Sequence, residues 1–125
     1  MKITTFNSFI ATSQTDATIR LFEEFGFERR HKKEGIEIAE SDNTVIRMKD
    51  ANGFFVDILQ SSEETARDMV GIRINVDNFD EAYDMLQKHG FKNVHGDETV
   101  STSSSKAAMM VAPSGYNVCI VEHIK

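Results

Sequence analysis

Arg73 is the residue whose chemical use is easiest to state. It stands in Gly71-Ile72-Arg73-Ile74-Asn75-Val76, a run of strict alternation. Successive side chains of a strand point to opposite faces. Ile72, Ile74 and Val76 are therefore predicted to pack on a helix, and Gly71, Arg73 and Asn75 to face the other way. A guanidinium on that face can hold a carboxylate or phosphate through two parallel hydrogen bonds. It can equally form an ion pair with Asp57 that neutralises both groups, because an inward charge needs a partner. The sequence leaves both readings open.

The same rule sorts the other strands. In Phe55-Val56-Asp57-Ile58-Leu59, the residues Phe55, Asp57 and Leu59 share a face, as do Asn117, Cys119 and Val121 in the last strand. On the first strand Asn7, Phe9 and Ala11 go together. Arg47 and Lys49 share a face opposite Ile46 and Met48, and Met109 and Val111 are their counterparts later in the chain. Apolar Phe9, Phe55, Leu59, Met109 and Val121 thus mix with polar Asn7, Arg47, Asp57, Arg73, Asn75 and Asn117. A small-molecule pocket has that kind of lining, mostly apolar with a few placed polar groups. Other candidates have plainer explanations. Ser101-Thr102-Ser103-Ser104-Ser105-Lys106 is able to close over a ligand and offer Lys106, yet reads first as a solvated turn. Cys119 lacks a histidine placed to activate it and reads as a small buried residue. Tyr116, after a turn glycine, reads as core. Arg29-Arg30-His31-Lys32-Lys33 reads as a solvated basic strand or turn.

Two copies of one unit position these residues. Phe25-Gly26-Phe27 matches His89-Gly90-Phe91 at an offset of 90 − 26 = 64, and the helical patterns before them match too. Ile19, Phe22, Leu21 and Phe25, then Ala82, Met85 and Leu86, recur at helical spacing. Each helix ends at a glycine suited to a left-handed cap. Ser13 or Thr15 is expected to cap the start of the first helix, and Asp77 or Asn78 the second. Asn52-Gly53-Phe54 through Leu59 matches Ser114-Gly115-Tyr116 through Val121 at 115 − 53 = 62, so one half carries a two-residue indel. Both glycines sit in hairpin turns. The first half reads as strand Ile3–Thr12, helix Thr15–Phe25, strand Glu28–Lys32, short strands Ile36–Glu40 and Thr44–Lys49, and strand Phe54–Gln60. The second half has Lys106–Ala112 as its penultimate strand. The expected organisation is one domain over 1–125, with unit one about 1–60, a polar connector 61–69 and unit two about 70–125.

A chain of 125 residues can enclose a real core, and 40% hydrophobic with 27% charged residues is an ordinary globular balance. The net charge of −6 is spread along the chain and argues against a nucleic-acid partner. A single cysteine excludes an internal disulfide and predicts a reducing, cytoplasmic setting. Met1-Lys2-Ile3-Thr4-Thr5-Phe6-Asn7 has neither a long apolar run nor a cleavage pattern, so no signal peptide, membrane span or membrane partner is expected.

Three stretches together resemble the vicinal oxygen chelate superfamily, which includes glyoxalase I, bleomycin-resistance proteins and extradiol dioxygenases. They are Leu21-Phe22-Glu23-Glu24-Phe25-Gly26-Phe27, then Val76-Asp77-Asn78-Phe79-Asp80-Glu81-Ala82 leading into Leu86-Gln87-Lys88-His89-Gly90-Phe91, and Ala112-Pro113-Ser114-Gly115-Tyr116. The resemblance covers nearly the whole chain. It implies an α+β fold of two tandem βαβββ units whose mixed sheet curls into a ligand-holding cup, with the helices outside, and it implies a homodimer. It also implies four metal-ligand positions, which fall on Asn7, Asp57, Gly71 and Cys119. Gly71 has no side chain and Asn7 offers only a neutral oxygen, whereas a catalytic divalent metal wants about three protein ligands. His31, His89, His95 and His123 fall elsewhere, although His123 shares a face with Cys119 and leaves a displaced site of Cys119, His123 and Asp57 open. The expected function is therefore binding of a small, partly apolar and anionic molecule, as in the bleomycin-resistance type, without a metal or other cofactor and without catalysis. Two alternatives stand beside it: a metal-dependent glyoxalase-like lyase or dioxygenase with an atypical site, and a structural or regulatory module whose cup is filled by its own side chains.

Overall fold

In the computed structural model, residues 1–33, 45–60, 67–101 and 103–124 are described, except for the side chains of 30–33. The expected short strand Ile36–Glu40, residue Thr44, Thr102 and most of the 61–69 connector lie outside them. Among the described residues the fold is α+β, with nine strands and two helices. It divides into two compact units: Asn7–Val70, and Met1–Phe6 with Gly71–Lys125. The first strand, β1 (Ile3–Thr12), contributes to both, so the six N-terminal residues group with the second half of the chain.

In the Asn7–Val70 unit, helix α1 (Thr15–Glu24) lies against a sheet of β2 (Glu28–Lys33), β3 (Val45–Lys49), β4 (Phe55–Gln60) and the end of β1. β4 runs parallel to β1, pairing Phe9 with Asp57, and antiparallel to β3, pairing Arg47 with Asp57. Ile19 of α1 meets Ile46, Met48, Val56 and Ile58, with Ile10, Phe22 and Phe27 around them. Burying each such side chain contributes about 1.5–3 kcal/mol. Leu21 and Phe25, which share the helical spacing, stay exposed. Neither Ser13 nor Thr15 caps α1. Gln14 holds the cap position without a side-chain bond, and the Thr15 hydroxyl instead donates to Gln60 Oε1 at 2.6 Å. That bond ties the helix start to the last strand.

The other unit repeats the plan. β5 (Met69–Val76) runs parallel to β9 (Asn117–His123), and β9 is antiparallel to β8 (Ser105–Val111). Two-residue strands β6 (Lys92–Asn93) and β7 (Val100–Ser101) edge β8. Helix α2 (Phe79–Lys88) packs Phe79 and Ala82 on Val76, Ala108, Met110, Val118 and Ile120. Asn78 is its cap, its side chain accepting from the Glu81 amide at 3.1 Å. The phosphate-like anchoring of a helix start by a carboxylate also appears, as Glu122 accepts from the Phe79 amide at 2.7 Å. Glu122 is the counterpart of Gln60 at the 62-residue offset.

The repeat holds at the level of single hydrogen bonds. Gly53 donates to Asp50 and Asp50 to Phe54, and the counterpart turn has Gly115 donating to Ala112 and Ala112 to Tyr116. Both helices close in the same way: Phe27 donates to Phe22 and Gly26 to Glu23, then Phe91 to Leu86 and Gly90 to Gln87. These are paired bonds of a glycine-terminated helix, and they require positive φ, +104° at Gly26 and +90° at Gly90. Gly90 carries a second constraint, since a Cβ there would sit 2.8 Å from the Pro113 ring.

Candidate functional site

The faces alternate as strand geometry requires. In the Asn7–Val70 unit, Ile46, Met48, Val56 and Ile58 turn to α1, which leaves Arg47, Lys49, Phe55 and Asp57 on the opposite side of β3 and β4. Asn7 of β1 joins them through its side chain. Asp57 is fully buried, at 0% exposure. Its carboxylate is closed by a fixed set of donors: Arg47 Nε gives 2.8 Å to Oδ1, Arg47 Nη2 gives 2.9 Å to Oδ2, and Asn7 Nδ2 gives 2.8 Å to Oδ2. The same Arg47 Nη2 donates to Asn7 Oδ1 at 2.9 Å, and Asn7 Nδ2 also donates to the Ser8 carbonyl at 2.8 Å. Bidentate pairing of this kind is the strong form of the arginine–carboxylate contact. Asp57 holds the guanidinium above its ordinary value, first through the hydrogen bond and then through charge attraction, with burial opposing.

The network also fixes the Asn7 amide. Turned over, its oxygen would face the carboxylate and its nitrogen would face the Arg47 donor, which are two repulsive contacts in place of two bonds. Beside this cluster lies the Phe55 ring. The Arg47 guanidinium carbon is 4.9 Å and the Lys49 ammonium 5.6 Å from its centroid. Both are cation–π distances.

In the other unit the equivalent face is chemically softer. Cys119 is buried and pairs in register with Met109 on β8 and Arg73 on β5. Gly71 pairs with Asn117, and both are half-buried. Asn75 is buried at 5% exposure, and its Oδ1 has no hydrogen-bond donor among the described residues. Lys106 does not turn to this face. It pairs with Asp80 at 3.6 Å and lies 5.9 Å from the Phe79 ring on the α2 side. Tyr116 is half exposed and meets Phe91 edge-on at 5.6 Å.

The positions that would hold a metal do not suit one. Asp57 Oδ2 already accepts two hydrogen bonds, and Asn7 turns its NH2 toward that carboxylate. A guanidinium bonded to the same carboxylate repels a divalent cation. Gly71 offers no donor atom. Among the described residues no three His, Cys, Asp or Glu side chains gather as metal ligands. His89, His95 and His123 are exposed, and the His31 side chain lies outside the described residues.

Arg47 is bonded to Asp57, a pairing that alternation alone does not predict. The hairpin contained the signal, because a turn centred on Asn52 sets residue 47 opposite residue 57. Lys49 was grouped with Arg47 by alternation, and its approach to Phe55 marks it as a further member of this face.

Neither a protein-family model nor a curated protein matches the sequence. Solved structures do match its fold. The Streptomyces coelicolor methylmalonyl-CoA epimerase in complex with 2-nitronate-propionyl-CoA is similar at 17% identity and TM-score 0.64, over 97% of this chain and 98% of that one. The Mycobacterium tuberculosis methylmalonyl-CoA epimerase gives 12% identity and TM-score 0.65, over 96% and 88%. A glyoxalase/bleomycin resistance protein/dioxygenase superfamily member from Vibrio splendidus gives 13% and 0.60, over 98% and 100%. At such identities the likeness is one of fold, and one fold hosts many chemistries.

Proposed function

We propose, with the vicinal oxygen chelate fold as premise, that this chain is a small-molecule-binding protein of the glyoxalase/bleomycin-resistance type that works without the superfamily's usual metal. The observation that carries this reading is the closed Asn7–Arg47–Asp57 cluster. Its one buried carboxylate is spent on an internal cation, so the strongest oxygen ligand in the set is committed elsewhere. The helix-free face of the Asn7–Val70 unit offers Phe55 as apolar surface, and that of the other unit carries Met109 with Arg73, Asn75 and Asn117. Asn75 Oδ1 is a buried acceptor suited to a ligand donor. Among solved neighbours of this fold, the Streptomyces coelicolor epimerase carries a CoA-linked small ligand, which is consistent with a small-molecule role.

The two units are taken to act as one domain, and the protein as a homodimer in the cytoplasm. Symmetric dimers are the common assembly, and the lone Cys119 is buried, as suits a reducing compartment. Among the described residues no helix is long and apolar enough to cross a membrane.

Elemental analysis tests the reading. Untagged protein is exposed to nickel, zinc, manganese and iron(II), and excess metal is removed. The expected result is no stoichiometric metal, and ligand binding indifferent to chelator. Near-stoichiometric metal that disappears in Asp57→Ala would overturn the proposal and make this a metalloenzyme with a rearranged site.

A further inference from the structure

We infer that Arg47, Lys49 and Phe55 form a subsite for an oxyanion, a carboxylate or phosphate group joined to a flat apolar body. The inference rests on the small-molecule reading above and names the ligand class for that face. A guanidinium has five N–H donors. Arg47 spends Nε and both hydrogens of Nη2 on Asp57 and Asn7. The two hydrogens of Nη1 meet no acceptor among the described residues. The Arg47 side chain is a quarter exposed (25%), so these donors are reachable from solvent while the rest of the group is fixed.

Lys49 supplies the charge. The Lys49 ammonium makes no ion pair within 4 Å among the described residues, and Glu28 stands opposite it in the β2–β3 register. Lys49 lies two residues from Arg47 on β3, on the same side of the strand, and is half-buried. Both cationic heads lie over one ring, 4.9 Å and 5.6 Å from the Phe55 centroid. The ring limits the water that reaches them and offers apolar surface to whatever carries the anion. A preset, partly desolvated pair of donors favours an oxyanion over a neutral amide, because bonds between charged partners are about twice as strong as neutral ones.

Calorimetric or NMR titration with benzoate, phenyl phosphate and neutral benzamide reads this out, at low and at high salt. Benzoate and phenyl phosphate are expected to bind more tightly than benzamide, and their ranking separates a carboxylate from a phosphate preference. Lys49→Gln is expected to weaken both anions by about tenfold, the scale of one charge-assisted hydrogen bond. Lys49→Arg is expected to restore them, and benzamide to be unchanged in all three proteins. Lys49 lies outside the core, so these variants keep the fold. Anions that bind no better than benzamide, or that ignore Lys49→Gln, would overturn the inference. If neutral compounds bind well in that case, the small-molecule reading survives. If no compound binds, both fail.

Discussion

Removing Arg47 while keeping Asp57 is the perturbation with the sharpest expected outcome. Arg47→Met is close in volume and puts on β3 the residue that the second unit carries at the equivalent position, Met109. It deletes the three Arg47 hydrogen bonds at the cluster's centre, two of them to a carboxylate at 0% exposure that keeps the Asn7 Nδ2 bond. Breaking a buried pair from one side costs about 3–5 kcal/mol. Arg47 is a quarter exposed and water can enter where it stood, so about 3 kcal/mol is expected at pH 8. For a chain of this length that lowers Tm by about 10 °C. The loss has a definite pH dependence. Losing the Arg47 guanidinium raises the folded pKa of the buried carboxyl relative to the parent. Relative to the parent, the folded variant then holds the extra proton, so it regains stability as pH falls and loses it as pH rises through the folded pKa. The gap to the parent is therefore wider at pH 8 than at pH 5. Replacing both partners, Arg47→Met with Asp57→Cys, removes the orphaned charge and is expected to recover most of the loss. Urea unfolding followed by circular dichroism suits a chain without tryptophan. A single variant within about 1 kcal/mol of the parent at pH 8, or a loss equal at both pH values, would refute the account of Asp57 as a charge held by Arg47.

Two further measurements test the elements that position this face. Gly90→Ala meets the Pro113 ring at 2.8 Å and a φ of +90°, whereas Gly26→Ala meets only a φ of +104° with open space around it. Both are expected to lose about 1 kcal/mol to backbone strain, with Gly90→Ala losing more; equal losses by thermal melts would mean that the Gly90–Pro113 contact yields freely. Asn78→Ala removes the N-cap side chain of α2 and, with Glu122 still bonded to the Phe79 amide, is expected to cost about 1 kcal/mol, while Ser13→Ala beside the uncapped start of α1 costs less than half of that.

Much of this fold could be read from periodicity. The faces of β3, β4, β5, β8 and β9 follow from two-residue alternation, and the helix ends follow from Gly26 and Gly90. What periodicity misses is pairing. The Arg47–Asp57 pairing needs the hairpin register, which rests on Asp50 closing its turn by accepting from the Asn52 and Phe54 amides. The α1 start misled for a related reason. Ser13 and Thr15 are good capping types, but the Thr12 hydroxyl takes the Gln14 amide and Gln60 takes the Thr15 hydroxyl. A residue 45 positions away in the chain decided a local feature. In the second half the loop after α2 is set by Asn93, whose side chain bonds Tyr83, the Glu98 carbonyl and the His95 amide. The first half has no such asparagine at the matching place, and so the edge strands of the two units differ.

The two halves share a backbone and part company in chemistry. Asn7, Arg47 and Asp57 correspond through the repeat to Gly71, Met109 and Cys119, and the strands that carry them have matching registers: Arg47 opposite Asp57, Met109 opposite Cys119. The three polar residues form a nearly closed set, in which most hydrogen-bonding atoms of each are used by the other two. A single replacement orphans a buried group, while joint replacement of the charged pair by apolar residues does not. Each unit is consistent within itself, one with an ion pair and an amide, the other with a thiol, a thioether and no side chain. The Lys49 ammonium and the Nη1 edge of Arg47 are the donors in the first half that no hydrogen bond among the described residues uses.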